Sequence, residues 1–289
     1  MFKPTSFRSI CVYCIATVIV VLSGCESQLD STSPEQLLGK FNPQHDLLLA
    51  QFDSKTDVDD IHSVAAVATM LQHPNLAKVK YHAVAGAYGI QEGEYVPAPE
   101  LFELAFADHW SDAHADRNKA LADVLILVRA SLKQGGDIWI AEAGQSDFTA
   151  MVIRALISAE PDILTQQKIH IVQHSDWNQD NTSADALAYV KIHSDYHKIP
   201  DGNALNNGTA GYKSDNSLDW TRALNNKKVG VLWQSAQQIA DKYNGQYGRY
   251  NNESIAQGGF DFSDAAELTW IFALEDAQDV SGFFDQFLL

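Results

Sequence analysis

The stretch "DLLLAQFDSKTDVDDIHSVAAVATMLQ", Asp46 to Gln72, decides the fold. Its apolar opening, residues 46–52, predicts a short buried strand. Four aspartates follow, Asp53, Asp57, Asp59 and Asp60, with Lys55 among them. Then Ile61, Val64, Ala65, Ala68 and Leu71 recur at helical spacing, which predicts a helix over 60–72. The same alternation continues along the chain. Strands are predicted at 79–86, 137–144 and 168–174, and a further short strand at 228–234. Helices are predicted at 115–133, 148–159, 183–194 and 263–274. Strand–helix alternation implies an α/β fold with a mostly parallel central sheet and helices on both faces.

Ligands of such folds bind at the carboxyl ends of the strands. Here those ends run into polar, acid-rich loops: "DSKTDVDD", "AYGIQEGE", "EAGQSD" and "HSDWNQDNT". The loops are distant in sequence, but the architecture brings them together.

The rest of the chain sets bounds. It has 289 residues, 46% hydrophobic and 10% aromatic, a globular composition long enough for a sizeable core. The formal net charge of -17 argues against nucleic-acid partners, whose affinity comes mostly from basic patches. Lys3 and Arg8 precede the apolar run Ile10–Leu22, which is short for a membrane span and fits a targeting leader. It ends in Leu22-Ser23-Gly24-Cys25, the pattern of a bacterial lipobox, with lipid attached to Cys25. An ordinary signal peptide or a short anchor is the alternative. Cys11 and Cys14 lie inside the leader, so the mature chain would hold no disulfide. A lipid-anchored protein of the cell envelope is expected: leader 1–25, polar tether 26–44, domain 45–289.

Asp59 and Asp60 open a helix whose N-terminus carries partial positive charge, so capping explains one or two carboxylates. It does not explain Asp53 and Asp57 as well. A hard cation bound through oxygens would. EF-hand spacing is absent, so the remaining ligands of any ion would come from other loops.

These features, in this order, resemble the nucleoside hydrolases, whose first loop runs Asp-x-Asp-Pro-Gly-x-Asp-Asp. Asp53, Asp59 and Asp60 match it. "VKYHAVAGAYG" is similar to the family's second strand and Gly-Asn turn, with Ala87 at the asparagine position. "IWIAEAGQSDFTAMVIRAL" is similar to its strand–turn–helix segment, with Ala143-Gly144 at the turn. "FDFSDAAELTWIFAL" resembles its late His-Asp motif, with Ser263-Asp264 in place of His-Asp. The resemblance spans most of residues 45–276 and fits a divergent lipoprotein branch better than the purine or pyrimidine enzymes.

That resemblance implies Ca²⁺ as cofactor, with Asp53, Asp60, Asp264 and the backbone carbonyl of Ala143 as ligands and Asp59 gripping sugar hydroxyls. It implies hydrolysis of an N- or O-glycosidic bond by a calcium-bound water through an oxocarbenium-like transition state. Lys55 stands where the family places its calcium-binding general base. Three arrangements follow: Asp57 takes that role, Lys55 points away, or Lys55 replaces the cation. With Ala87 and Ser263 also departing from the family pattern, the expected substrate is a small glycoside or oligosaccharide fragment ahead of an ordinary nucleoside. A non-catalytic carbohydrate-binding lipoprotein is the alternative.

In the loop after the 168–174 strand, Trp177 is a candidate stacking platform for a sugar. Asp176, Asn178 and His174 are candidate hydrogen-bond partners, with His174 also a candidate acid for the leaving group. A solvated loop is the other reading. Asp201, Asn203, Asn206 and Asn207 read as sugar contacts or turns, and Trp110, His109 and Asp112 as a weaker pocket group. Trp139, Trp233 and Trp270 read as core.

Overall fold

The computed structural model of the chain describes residues 1, 37–215 and 218–288. The expected leader beyond residue 1, the expected lipobox with Cys25 and residues 26–36 of the expected tether lie outside them. No helix among the described residues is long and apolar enough to cross a membrane.

In chain order the elements are β1 (Leu47–Phe52), α1 (Asp59–Leu71), β2 (Lys80–Ala85), α2 (Pro99–Phe106), β3 (Trp110–Asp112), α3 (Arg117–Lys133), β4 (Ile138–Ala143) and α4 (Asp147–Ala159). The short α5 (Thr165–Lys168) leads into β5 (Ile169–His174), then α6 (Asp176–Asp180), α7 (Ala184–His193) and β6 (Asp195–Ile199). The last part is helical: α8 (Thr221–Leu224), α9 (Gly230–Tyr243), α10 (Glu253–Ala256), α11 (Ala266–Phe272) and α12 (Val280–Phe287).

The six strands form one sheet in the order β3-β2-β1-β4-β5-β6. Every pairing is parallel. Such a sheet is covered on both faces, which is why β1 and β4 are apolar but for Gln51 and Glu142 and every residue of both is buried. One face packs on α1, α2, α9, α11 and α12. The other packs on α3, α4 and α7. α1 lies between the sheet and α9 and is buried along nearly its whole length. Its run of alanine and valine gives a helix apolar on most sides, as such a position requires.

Two expectations change and one further strand joins the sheet. Residues 228–234 are not a strand; they enter α9, where Leu232, Trp233, Ala236 and Ala240 are buried at helical intervals. A short apolar run reads alike in either period, and the tryptophan's contacts decide it. Trp233 sits among Phe260, Phe262 and Phe284, and its indole N–H donates to Thr69 Oγ1 at 3.0 Å. β6, with the polar sequence "DYHKI", has no apolar run to reveal it; it pairs along β5 as an edge strand. The folded body also starts before residue 45. Phe41 is wholly buried against Phe272, and the Lys40 amide donates to the Ile271 carbonyl, so residues 38–44 are docked and do not act as tether.

Trp233→Ala is expected to cost about 3–5 kcal/mol in chemical denaturation. Val231→Ala, on the exposed side of the same helix, should stay within about 0.5 kcal/mol.

Candidate active site

The strand order places β1 beside β4, and the chain runs outward in opposite directions from that pair. The crevice beyond their carboxyl ends is where this architecture leaves room for a ligand. Asp53 follows β1 and Gly144 follows β4. Gly144, at φ 131°, lets the two turns approach; a Cβ there would lie 2.7 Å from that of Asp53. The cleft has a volume of about 400 Å³, and Asp53, Asp57, Asp59, Asp60, Asp201 and Asp264 all line it, opposed by Lys55 and Lys213.

The aspartates at the start of α1 do not cap it. Its N-cap is Val58, with no side-chain hydrogen bond. The carboxylates face the cleft instead, where ligand atoms of Asp59, Asp60 and Asp264 all lie within 4.8 Å of one another. Asp60 Oδ2 accepts the Ser54 amide at 2.7 Å, while its buried Oδ1 meets no donor. Burial, then the charges of Asp53 and Asp264, push the Asp60 carboxyl well above the usual range. Burial, then Asp57 and Asp264, does the same to Asp59, which keeps some contact with solvent. Asp53 is raised to about 7, chiefly by burial. A buried carboxylate oxygen without a donor, beside two further carboxylates, calls for a proton or a cation. An all-oxygen set of this kind fits a hard divalent ion such as Ca²⁺.

The geometry redistributes the expected roles. Asp59 groups with Asp60 and Asp264, its Oδ1 also accepting the Asp60 amide at 2.9 Å. Asp53 instead accepts from the Lys55 amide (2.8 Å), Gln91 Nε2 (3.2 Å) and Gln145 Nε2 (2.9 Å), bracing the turn behind the cluster. The Ala143 carbonyl accepts the Asp53 amide at 3.1 Å and does not line the cleft. Lys55 turns its ammonium to the Gln91 carbonyl oxygen at 2.6 Å, 4.9 Å from the centre of the Tyr88 ring. It points away from the three aspartates, the second of the arrangements considered above. Asp57 Oδ2 accepts from Asn252 Nδ2 at 3.3 Å and lines the cleft.

His174, buried at the end of β5, has both ring nitrogens engaged. The Gly202 amide donates to Nδ1 at 2.9 Å, and Nε2 lies 3.2 Å from Asp264 Oδ1. Burial lowers its pKa, but the charges of Glu267, Asp264 and Asp201 outweigh this and lift it to about 9. The Gly202 N–H nevertheless needs a lone pair on Nδ1, so this geometry holds the neutral tautomer with its proton on Nε2. His174 therefore orients Asp264 and offers no proton to a leaving group. Gly202 is constrained in turn: a Cβ would lie 2.4 Å from the Ser263 carbonyl oxygen and 2.9 Å from His174 Nδ1.

Trp177, 41% exposed, and buried Asn178 line the cleft, as do Asp201 and Asn203. Asp176 does not; it is exposed and paired with Lys198. Trp110 packs on Phe102 near the far edge of the sheet, outside the cleft, and neither Asn206 nor Asn207 reaches it. The sequence reading passed over Lys213, Asp261 and Glu267. Lys213 Nζ lies 3.2 Å from wholly buried Asp261, which also accepts from Asn252 at 2.8 Å. Glu267 Oε1 accepts the His174 amide at 3.0 Å. Its place three residues after Asp264, one helical turn on, was the available signal.

No known protein family, curated protein or solved structure matches the chain.

Behind the cleft Glu142 is wholly buried and accepts from Ser146 Oγ at 2.6 Å. Burial lifts its carboxyl from an ordinary 4.5 to about 7. Between those values the folded chain holds a proton that the unfolded chain has released. The resulting stabilisation is complete below 4.5 and is lost as pH rises through 7. The urea midpoint of the metal-stripped protein should therefore fall between about pH 5 and about pH 8, and fall less in Glu142→Gln. Identical profiles would remove Glu142 from the explanation.

Proposed function

We propose that the chain is a hydrolase of glycosidic bonds, acting on a small glycoside or nucleoside-like substrate, with Asp59, Asp60 and Asp264 holding a calcium ion. The observation that carries this is the convergence of those carboxylates, one with a buried oxygen lacking a donor, at the strand reversal. The resemblance of the first loop to that of nucleoside hydrolases supports it. Calcium, when bound, supplies Lewis-acid polarisation of oxygen and positive charge near the sugar diol.

The chain's own residues account for the remaining roles. Asp57, held by Asn252, is the general base: it takes a proton from the water that attacks the anomeric carbon, while the glycosidic bond's electron pair leaves with the aglycone, which takes up a proton from solvent. The surrounding carboxylates stabilise the positive charge that develops on the sugar ring. Trp177 offers a face for stacking, and Asn178 and Asn203 offer groups to hydroxyls. His174 keeps Asp264 oriented. The leader and Cys25 add a lipid-anchored location in the cell envelope to this reading.

Calorimetric titration of Ca²⁺ into the metal-stripped protein tests the ion. Asp60→Asn and Asp264→Asn should each weaken binding at least about tenfold, roughly 1.4 kcal/mol. Wild-type protein that binds no Ca²⁺ would overturn the calcium assignment. Release of aglycone or free base from a panel of glycosides and nucleosides tests the reaction. Asp57→Asn should lower kcat by about 10²–10⁴-fold with KM little changed. Sugar binding without turnover in the wild-type chain would favour a carbohydrate-binding role.

A further inference from the structure

A second cluster lies at the other end of the sheet, on β5 and the edge strand β6. His170 and Asp195 are register partners on the two strands, and His197 follows Asp195 two residues on, on the same face. His170 Nδ1 lies 2.7 Å and His197 Nε2 2.8 Å from the same oxygen, Asp195 Oδ2. Ligand atoms of all three residues fall within 4.8 Å of one another. His170 precedes His174 by four strand residues, about 13 Å, so this group stands well apart from the acidic cleft.

The ring of His170 meets a carboxylate at each nitrogen. Nδ1 faces Asp195, and Nε2 faces Asp137 Oδ2 at 3.2 Å. A neutral imidazole has one N–H and satisfies only one of two acceptors. Either the ring carries two protons, or Nε2–H donates to Asp137 while Nδ1 binds a cation. The second arrangement is the carboxylate–histidine–metal relay that orients imidazole ligands. Its parts are held in place. Lys168 occupies Asp137 Oδ1 at 2.5 Å, leaving Oδ2 for His170. The His170 ring lies nearly flat on Trp139, with centroids 4.2 Å apart, and His197 packs on Trp270 at 5.0 Å.

We propose that His170, His197 and Asp195 form a binding site for a divalent transition metal of the zinc type, with Asp137 fixing the tautomer of His170. Two imidazoles and one carboxylate are a zinc donor set, unlike the all-oxygen cleft. In a tetrahedral site with bonds near 2.1 Å, ligand atoms stand about 3.4 Å apart. The ion takes the place of the protons that bridge nitrogen and oxygen, and the shared oxygen moves outward by roughly half an ångström to admit it. The side chains of His170, His197 and Asp195 are 13%, 33% and 41% exposed, so an ion has access and water completes its coordination. The metal ties the edge strand β6 to β5 through side chains in addition to the backbone ladder.

Zn²⁺ titrated into the metal-stripped full chain tests this. One equivalent is expected to bind in wild type and in Asp60→Asn, which disables the acidic cleft. Binding should be lost in His197→Ala and weakened about 10–100-fold in Asp137→Asn. Co²⁺ gives a second readout: a tetrahedral site with nitrogen ligands produces intense visible absorption, and an all-carboxylate octahedral site a weak one. Loss of the intense band in His197→Ala, with circular dichroism unchanged, is the expected result. No zinc binding by the folded wild type, zinc binding unchanged in His197→Ala, or zinc binding lost in Asp60→Asn would overturn the proposal.

Discussion

Carboxylates withheld from water at the mouth of a parallel sheet set the terms for everything around them. Two ionised groups 4.8 Å apart repel by roughly 3–4 kcal/mol at an effective dielectric of about 20. A hydrogen bond to a charged oxygen returns about 1.5–3 kcal/mol, so the Ser54 amide alone cannot hold Asp60 ionised beside Asp264 and Asp59. The surroundings distribute the load. Gln91 and Gln145 brace Asp53, Lys213 offsets Asp261, and His174 steadies Asp264. What remains is a cluster whose charge depends on a proton or a cation.

Much of the scaffold was legible in the sequence because a buried parallel sheet writes itself as apolar runs. "LLLAQF" and "IWIAEA" are buried residue by residue, and the helices after them show the 3.6-residue period. The elements that escaped lacked this signature. β6 is polar, β3 has three residues, and α9 begins with an apolar run too short to declare its period. That the acidic loop does more than cap a helix was legible, because four aspartates exceed what a helix terminus needs, and all four line the cleft. The roles within it were not, since they depend on which oxygen already has a donor. Asp53 braces its turn through hydrogen bonds that no spacing reveals, and the Ala143 carbonyl does not line the cleft. Lys213 and Asp261 come from irregular backbone and meet only in three dimensions.

The sheet thus presents different chemistry at its two ends. At the carboxyl ends of the strands carboxylates converge, with His174 engaged by Asp264 and the lysines paired elsewhere. Toward the amino ends of β5 and β6 imidazole nitrogens converge on a carboxylate beside two tryptophans. Hard and borderline cations prefer different donor types, and the two side-chain groups differ in that respect.

The docking of residues 38–46 has a mechanical consequence. Asp46 accepts the Asp137 amide, and Leu47 donates to the Asp137 carbonyl, so the chain enters the sheet beside the start of β4. From there it passes straight into β1, which is paired in parallel on both sides, with β2 and β4. A force directed along β1 from its start, once residues 38–44 have come off the body, loads both hydrogen-bond ladders in shear. Many bonds must then yield together, whereas an edge strand peeled from its end would give way one bond at a time. The acidic loop, at the opposite end of the same strand, is shielded from that pull.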